Sequence, residues 1–253
     1  MDLQIAGKTA LVTGASKGIG FAIAEALVNE GVRVVAAARD HAALDAAAAR
    51  LGAQGAEVVA LSADVSDPIE IRRLLDATRE RVGQLDILIA NAGGPPAGPP
   101  SSLDDAAWAR AVELTLMSAV RLARAVVPGM RERGWGRIVN VTSLSVKQPI
   151  GDLTLSNAMR SAVTAFARTL ASEVAAHGVT VNNVAPGYTA TERLEQLFAD
   201  DYAKARLVAS IPVKRFAHAH EIAAAALYLC SEQAAYVTGQ TLLVDGGMVA
   251  STY

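Results

Sequence analysis

The chain has 253 residues, of which 52% are hydrophobic and only 4% aromatic, a composition that suits one α/β domain with a substantial aliphatic core. The formal net charge of −2 is not the positive excess that is typical of nucleic-acid-binding proteins. The single cysteine excludes an intrachain disulfide and indicates a reducing compartment. No signal-peptide pattern and no apolar run of about 20 residues is found, so we expect a cytoplasmic protein without a membrane span.

Short apolar runs recur along the chain and predict seven strands. They cover residues 9–12, 32–35, 58–61, 85–89, 138–141, 179–181 and 242–244. Single polar residues such as Arg33, Asp86 and Asn140 fall within them, but most of the runs are apolar at successive positions rather than alternating, which is typical of strands covered on both faces of a parallel sheet.

The segments between these strands carry helix signals. Asp67, Pro68 and Glu70 place a cap, a first-turn proline and an N3 glutamate in order. Six apolar residues between 163 and 174 fall on one helix face. The alternation of strands and helices predicts a single doubly wound α/β domain over residues 1–253, with helices on both faces of the sheet. The Pro- and Gly-rich stretch 94–100 is interpreted as a stiff loop at the carboxyl edge of that sheet.

A glycine-rich turn follows the first predicted strand and opens a helical pattern. It contains Gly14, Gly18 and Gly20 within the string Thr13-Gly14-Ala15-Ser16-Lys17-Gly18-Ile19-Gly20. Glycines let backbone amides approach a phosphate, and the helix N-terminus favours its negative charge. The spacing is not that of the commonest dinucleotide fingerprint, so by itself the cluster is also compatible with a purely structural turn.

Further motifs follow later strands. Asp64-Val65 comes after the third strand, Asn91-Ala92-Gly93 after the fourth and Pro186-Gly187 after the sixth, and Val244-Asp245-Gly246-Gly247 closes the seventh. With the glycine turn, these motifs resemble the short-chain dehydrogenase/reductase family over essentially the whole chain. The resemblance implies a Rossmann-type domain with a seven-stranded parallel sheet, a nicotinamide dinucleotide cofactor, a small-molecule substrate and a homotetramer.

The residues at the end of the second strand bear on the choice of cofactor. No carboxylate precedes Arg39, although Asp40 follows it, and Lys17 lies inside the glycine turn. A carboxylate there would accept hydrogen bonds from a ribose 2′-hydroxyl and repel a 2′-phosphate, whereas two cations suit that phosphate. We therefore predict NADP(H) as the favoured cofactor. The alternative is NAD(H), with both cations as solvated surface charges.

The chemical site of the family has a serine after the fifth strand, a tyrosine thirteen residues later and a lysine four residues further on, with an asparagine in the preceding helix. Ser143 matches the serine, but Ser156 and Arg160 stand at the tyrosine and lysine positions and Thr115 stands at the asparagine position. A serine hydroxyl is a weak acid, and an arginine cannot serve as a base. Arg160 can still hold a ribose or a substrate carboxylate, or stabilise an oxyanion.

Two interpretations of this altered site stay open. Either Ser143, Ser156 and Arg160 carry a modified chemistry, or Ser156 and Arg160 belong to a decayed site. Tyr188, directly after Pro186-Gly187, is a candidate proton donor, the alternative being loop packing. No metal site is expected, because His218 and His220 lack an evident third ligand.

The candidate cofactor-binding residues are those of the motifs above, the two arginines Arg39 and Arg160, and Thr189. They are Gly14, Ser16, Lys17, Gly18, Ile19, Gly20, Arg39, Asp64, Val65, Asn91, Ala92, Gly93, Arg160, Pro186, Gly187 and Thr189.

The sequence thus predicts an NADP(H)-dependent oxidoreductase of the short-chain type that acts on a carbonyl or hydroxyl group of a small molecule through an atypical site. The alternatives are a dinucleotide-binding sensor or scaffold without redox turnover, and a non-redox enzyme that uses NADP structurally or transiently. Loop 94–100 and a lid at about 188–216 are expected to line a pocket that suits a partly apolar ligand.

Overall fold

The computed structural model describes residues 2–198 and 200–251. Its centre is one seven-stranded, all-parallel sheet in the order β3-β2-β1-β4-β5-β6-β7. The strands are β1 (Thr9–Thr13), β2 (Arg33–Ala38), β3 (Val58–Ser62), β4 (Ile87–Ala90), β5 (Gly136–Val141), β6 (Val179–Pro186) and β7 (Thr241–Val244). The predicted doubly wound parallel sheet is confirmed.

Helices connect the strands. They are α1 (Gly18–Asn29), α2 (His41–Leu51), α3 (Pro68–Val82), α4 (Asp105–Ala111), α5 (Ser118–Arg133), α6 (Thr154–Val174), α7 (Glu192–Leu197), α8 (Asp201–Ser210) and α9 (Ala219–Cys230). A π-helical stretch, Val112–Met117, joins α4 to α5. In the described ranges, no helix combines the length and apolar character needed to cross a bilayer.

Both faces of the sheet are covered because strand residues alternate between two apolar cores. On β1, Ala10 and Val12 belong to a core shared with α1, α2 and α9. Leu11, between them, belongs to a second core shared with α3, α5 and α6. Successive side chains therefore pack against helices on opposite faces of the sheet, and all of them are covered. This explains why the strands are apolar at successive positions in the sequence.

The bounds of several elements differ from the prediction. The predicted sixth strand is longer than expected and reaches Pro186, because β6 pairs with β5 on one side and β7 on the other. Asp67 caps α3 as expected by accepting from the Ile69 amide. The reciprocal bond from Glu70 is absent, since that carboxylate accepts from the Asp64 amide at 2.6 Å.

The strand order reverses between β1 and β4, and a doubly wound sheet opens a crevice at such a point. The carboxyl ends of these strands and of β5 and β6 meet there. Three segments gather around this edge: the glycine turn before α1, the first turns of α6, and α7. The fold thereby collects residues that are far apart in the sequence.

Candidate active site

An open cavity of about 830 Å³ lies at the carboxyl edge of the sheet. Every candidate catalytic and cofactor-binding residue lines this cavity. The lining includes Gly14, Ser16, Lys17, Gly18, Ile19, Gly20, Arg39, Asp64, Val65, Asn91, Ala92, Gly93, Ser143, Ser156, Arg160, Pro186, Gly187, Tyr188 and Thr189. The structure thus brings residues from across the chain to one continuous space.

The glycine turn is braced by Asn91. The Asn91 side-chain amide donates to the carbonyls of Thr13 and Gly14 at 3.1 and 3.4 Å. The Thr13 hydroxyl donates to the Asn91 carbonyl at 2.8 Å and accepts from the Asn91 amide at 2.9 Å. Gly20 has no room for a side chain, because a Cβ there would lie 2.1 Å from the Gly14 carbonyl oxygen. Asn91 and Gly20 together fix the shape of the turn.

The start of α1 offers donors to an anion. The helix begins at Gly18, and its N-cap Lys17 provides no side-chain cap, so the first-turn amides keep their capacity to bind a ligand. Asp64, at the neighbouring strand end, is held by its own bonds to the Ser66 amide and hydroxyl at 2.9 and 2.8 Å. The first-turn amides of α1 suit the phosphates of a dinucleotide.

The two cations expected near a 2′-phosphate differ in their surroundings. Lys17 contacts the carboxylate of Glu192 on α7, which was not foreseen. Arg39 is exposed, and within the described parts of the chain no ion pair involves it. Asp40 caps α2 by accepting from the Ala43 amide at 3.0 Å. Arg39 is therefore the cation that is available beside the end of β2.

Ser143 follows β5 and begins a short helical turn, Leu144–Val146. Its Oγ accepts a hydrogen bond from the Ser145 amide at 3.1 Å. Because the oxygen is used as an acceptor, the hydroxyl hydrogen can be donated to a group in the cavity. Ser143 is thus arranged as a hydrogen-bond donor.

Ser156 and Arg160 lie one turn apart on α6, and the Arg160 Nε donates to the Ser156 Oγ at 3.2 Å. Arg160 Nη1 donates to the carbonyls of Val141 and Thr142 at 2.7 and 3.0 Å, and Nη2 to that of Ala92 at 3.4 Å. The guanidinium thereby joins the ends of β4 and β5 to α6. The Ser156 hydroxyl, like that of Ser143, keeps its hydrogen for another acceptor.

Among the residues that the structure describes, no carboxylate forms an ion pair with Arg160. Burial, reinforced by the nearby charge of Arg193, lowers the pKa of Arg160 to about 10. Arg193 lies on α7, also lines the cavity, and donates to the Pro95 carbonyl at 2.8 Å. Burial lowers its pKa as well. Arg160 remains protonated at neutral pH and therefore cannot act as a base.

Tyr188 lines the cavity, and its ring packs edge-on against Phe198 with 5.9 Å between centroids. Burial raises the pKa of its phenol. A raised pKa makes the phenol a weaker acid, the opposite of activation by a neighbouring cation. The structure therefore gives Tyr188 a packing contact, and within the described ranges no hydrogen bond activates its hydroxyl.

Thr115 lies in the π-helical stretch rather than on the main cavity. It borders a second, small cavity of about 10 Å³ that Arg160 and Asn140 also line. Its hydroxyl is buried and has no hydrogen-bond partner among the residues that the structure describes. The position expected to hold an asparagine is thus close to Arg160 but outside the large cavity.

The two histidines raised by the sequence lie at the start of α9. His218 is the N-cap, and its ring stacks on that of His220 with 5.3 Å between centroids. Over residues 2–198 and 200–251, no group of three or more His, Cys, Asp or Glu side chains is placed to hold a metal ion.

Sequence reasoning missed two parts of the site. It assigned no role to Arg193 or Glu192, although both lie in the expected lid segment shortly after Pro186-Gly187. It also did not foresee that the Asn91 side chain braces the glycine turn. These contacts leave no periodic pattern in the sequence. The signal that could have indicated them was the position of the residues shortly after strand ends.

Comparison with known proteins defines the class. A family model described as enoyl-(acyl carrier protein) reductase matches residues 14–249. The 3-oxoacyl-[acyl-carrier-protein] reductase FabG of Escherichia coli (strain K12) is 38% identical over 246 residues, which are 97% of this chain and 99% of that protein. The chain belongs to the short-chain dehydrogenase/reductase family.

Solved structures agree with this assignment. L-Sorbose reductase from Gluconobacter frateurii, complexed with NADPH and L-sorbose, is 37% identical with a TM-score of 0.93, covering 99% of this chain and 100% of that one. A variant of actinorhodin polyketide ketoreductase with NADPH is 36% identical with a TM-score of 0.93, covering 99% of this chain and 100% of that one.

Proposed function

We propose that this protein is an NADP(H)-dependent oxidoreductase that interconverts a carbonyl and a hydroxyl group of a small molecule. One observation carries the proposal. A single cavity joins the glycine turn to Ser143, Ser156 and Arg160, so that a dinucleotide and a second reactant fit side by side. Similar proteins whose structures contain NADPH are named as reductases, which supports the same cofactor here.

The cofactor end of the cavity would be held by main chain and by Arg39. The amides at the start of α1 suit the pyrophosphate, and Arg39 suits a 2′-phosphate because no ion pair occupies its guanidinium in the described structure. Lys17 would first have to leave Glu192. When bound, the reduced nicotinamide supplies the hydride that turns a carbonyl carbon into a carbinol carbon.

The protein groups act on the carbonyl oxygen. Reduction of the carbonyl would place negative charge on its oxygen, which would then take one proton to give the alcohol. Ser143 and Ser156 donate hydrogen bonds to this oxygen, and the Arg160 charge stabilises its negative form through Ser156. The proton passes from the Ser156 hydroxyl and is replaced from water in the open cavity.

This arrangement explains what the altered residues can and cannot do. A positioned acid or base contributes about 10²–10⁴-fold to a rate. Ser156 lacks the acidity of a phenol, so we expect slow turnover of the simple ketones that ordinary family members reduce. A substrate that brings its own binding energy to the cavity would offset part of that loss.

The test is a pair of measurements on the wild-type protein. Calorimetric titration should show at least about tenfold tighter binding of NADPH than of NADH, as expected for one added charge-assisted contact. NADPH oxidation, followed by its absorbance, should then occur with a carbonyl compound and be lowered in Ser143→Ala. Equal affinities would contradict the cofactor choice, and tight NADPH binding without oxidation would favour the sensor hypothesis.

We also propose the cytoplasmic location expected from the composition and the homotetramer implied by the family resemblance. Light scattering tests the assembly by comparing the solution mass with the 26.2 kDa of one chain. A monomeric mass at micromolar concentration would contradict it.

A further inference from the structure

We infer that the substrate carries an oxyanion group, a carboxylate or a phosphate, which binds to the guanidinium of Arg193 while its carbonyl faces Ser143. This inference rests on the proposed function and names its substrate class. Two features of the molecule support it: the distribution of charge around the cavity and the position of the Arg193 side chain.

The carboxylates on the cavity wall are all engaged. Asp40 caps α2, Asp64 holds Ser66, and Glu192 contacts Lys17. At the reaction end of the cavity, as far as the structure describes it, the charged groups are Arg160 and Arg193, and no carboxylate accompanies them. That end of the cavity is therefore electropositive.

The loop after β4 positions the Arg193 side chain. Its guanidinium lies against Gly94, where a Cβ would come within 2.8 Å of Nη2, so a side chain at that position would displace it. Nη2 donates to the Pro95 carbonyl at 2.8 Å. In the described structure no hydrogen-bond acceptor is assigned to Nε or Nη1, and a guanidinium presents its donors as a fork that matches an oxyanion. The side chain is positioned, and most of its donors are free to bind a ligand.

Two like charges in one partly buried space are unfavourable without a counter-charge. Carbonyl oxygens satisfy the hydrogen bonds of Arg160, but they carry no net charge. An anion bound at Arg193 would offset both guanidinium charges, and it would be partly shielded from water. A neutral substrate would leave this repulsion in place.

The phosphates of the cofactor are the competing source of that anion. On α7, Glu192 extends to Lys17 in the glycine turn, whereas Arg193 extends to loop 94–100. Neighbouring residues on a helix project about 100° apart, so the two side chains serve different parts of the cavity. The apolar residues Leu144, Ile150 and Leu153 also line the cavity and suit the carbon skeleton of a small oxo acid.

The test uses matched pairs of carbonyl compounds with NADPH in excess. The probes are 2-oxobutanoate and 4-oxopentanoate with their methyl esters, and dihydroxyacetone phosphate with dihydroxyacetone. We expect kcat/KM to be about 10- to 100-fold higher for at least one anion than for its neutral partner. The acid and phosphate pairs show which oxyanion is preferred. Equal values within every pair, with measurable reduction, would overturn the inference and leave the proposed function intact.

The variant Arg193→Gln should abolish this preference, whereas Arg206→Gln should retain it. Arg206 is an exposed residue of α8 outside the cavity wall and serves as the matched control. Calorimetry gives a readout that does not depend on turnover. Butanoate and inorganic phosphate are titrated into the NADP⁺-saturated protein, and we expect saturable binding of one of them that Arg193→Gln removes.

The outcomes separate the two hypotheses. Failure of NADPH to bind the wild-type protein would contradict the proposed function itself. Binding of neither anion, or anion binding that persists in Arg193→Gln, would overturn the substrate class alone. A loss of NADPH affinity in Arg193→Gln as large as the loss of kcat/KM would assign Arg193 to the cofactor instead and would also overturn the inference.

Discussion

Replacing Arg160 with methionine separates its chemical role from its structural one. The substitution keeps an unbranched apolar side chain and removes the guanidinium. The carbonyls of Val141 and Thr142 then lose donors at 2.7 and 3.0 Å, and that of Ala92 loses one at 3.4 Å. The positive charge disappears at the same time.

These two effects oppose each other in the free energy of unfolding. Leaving two or three carbonyls unpaired costs roughly 2–6 kcal/mol in total, at about 1–2 kcal/mol each. The lowering of the Arg160 pKa to about 10 corresponds to a penalty of about 3 kcal/mol on the charged form, and methionine relieves it. We therefore expect Arg160→Met to change the free energy of unfolding by no more than about 3 kcal/mol.

The activity should respond much more strongly than the stability. Removing a group that stabilises a developing oxyanion typically lowers kcat by about 10²–10³-fold. Urea unfolding measures the first quantity and NADPH oxidation the second. Arg168→Met, at an exposed position of the same helix, is the control. A stability loss above about 4 kcal/mol with kcat/KM retained by the folded fraction would refute the reasoning, since Arg160 would then be structural only.

Further predictions concern the two ends of the cavity. Arg39→Asp should shift the preference from NADPH toward NADH in calorimetry, and an unchanged ratio would exclude Arg39 as the 2′-phosphate contact. Gly20→Ala should abolish cofactor binding, because its Cβ would lie 2.1 Å from the Gly14 carbonyl oxygen; NADPH binding at wild-type affinity would contradict this. Ser156→Tyr combined with Arg160→Lys should raise kcat/KM for simple ketones by about tenfold or more; no increase in a folded variant that still binds NADPH would contradict this. Tyr188→Phe should keep kcat/KM within about threefold; a loss near 10²-fold would make Tyr188 the proton donor.

The fold was predictable because its signals are local and repeated. Continuous apolar runs such as Ile87–Ala90 occur where strands are covered on both faces, and the glycine turn lies where a strand ends and a helix begins. Strand ends were less predictable. The length of β6 depends on pairing with both β5 and β7, which is a tertiary effect that composition does not report.

The site was predictable to the extent that it follows strand ends in a fixed order. Motif spacing placed Ser143, Ser156 and Arg160 in one cavity, although it gave no account of their hydrogen bonds. Two contacts join segments that are far apart in sequence: Lys17 contacts Glu192, and Arg193 packs against Gly94. Such contacts depend on where a loop and a short helix meet, and a single sequence carries no periodic signal for that.

The central claim is that this cavity transfers a hydride in spite of its substituted proton-transfer pair. The most direct measurement uses NADPH deuterated at the transferable C4 position, with excess protein and the carbonyl probes named above, and mass spectrometry of the products. The account predicts an alcohol that carries one deuterium on its carbinol carbon, with NADPH consumed in equal amount. Bound NADPH that keeps its deuterium while no probe is reduced would contradict it.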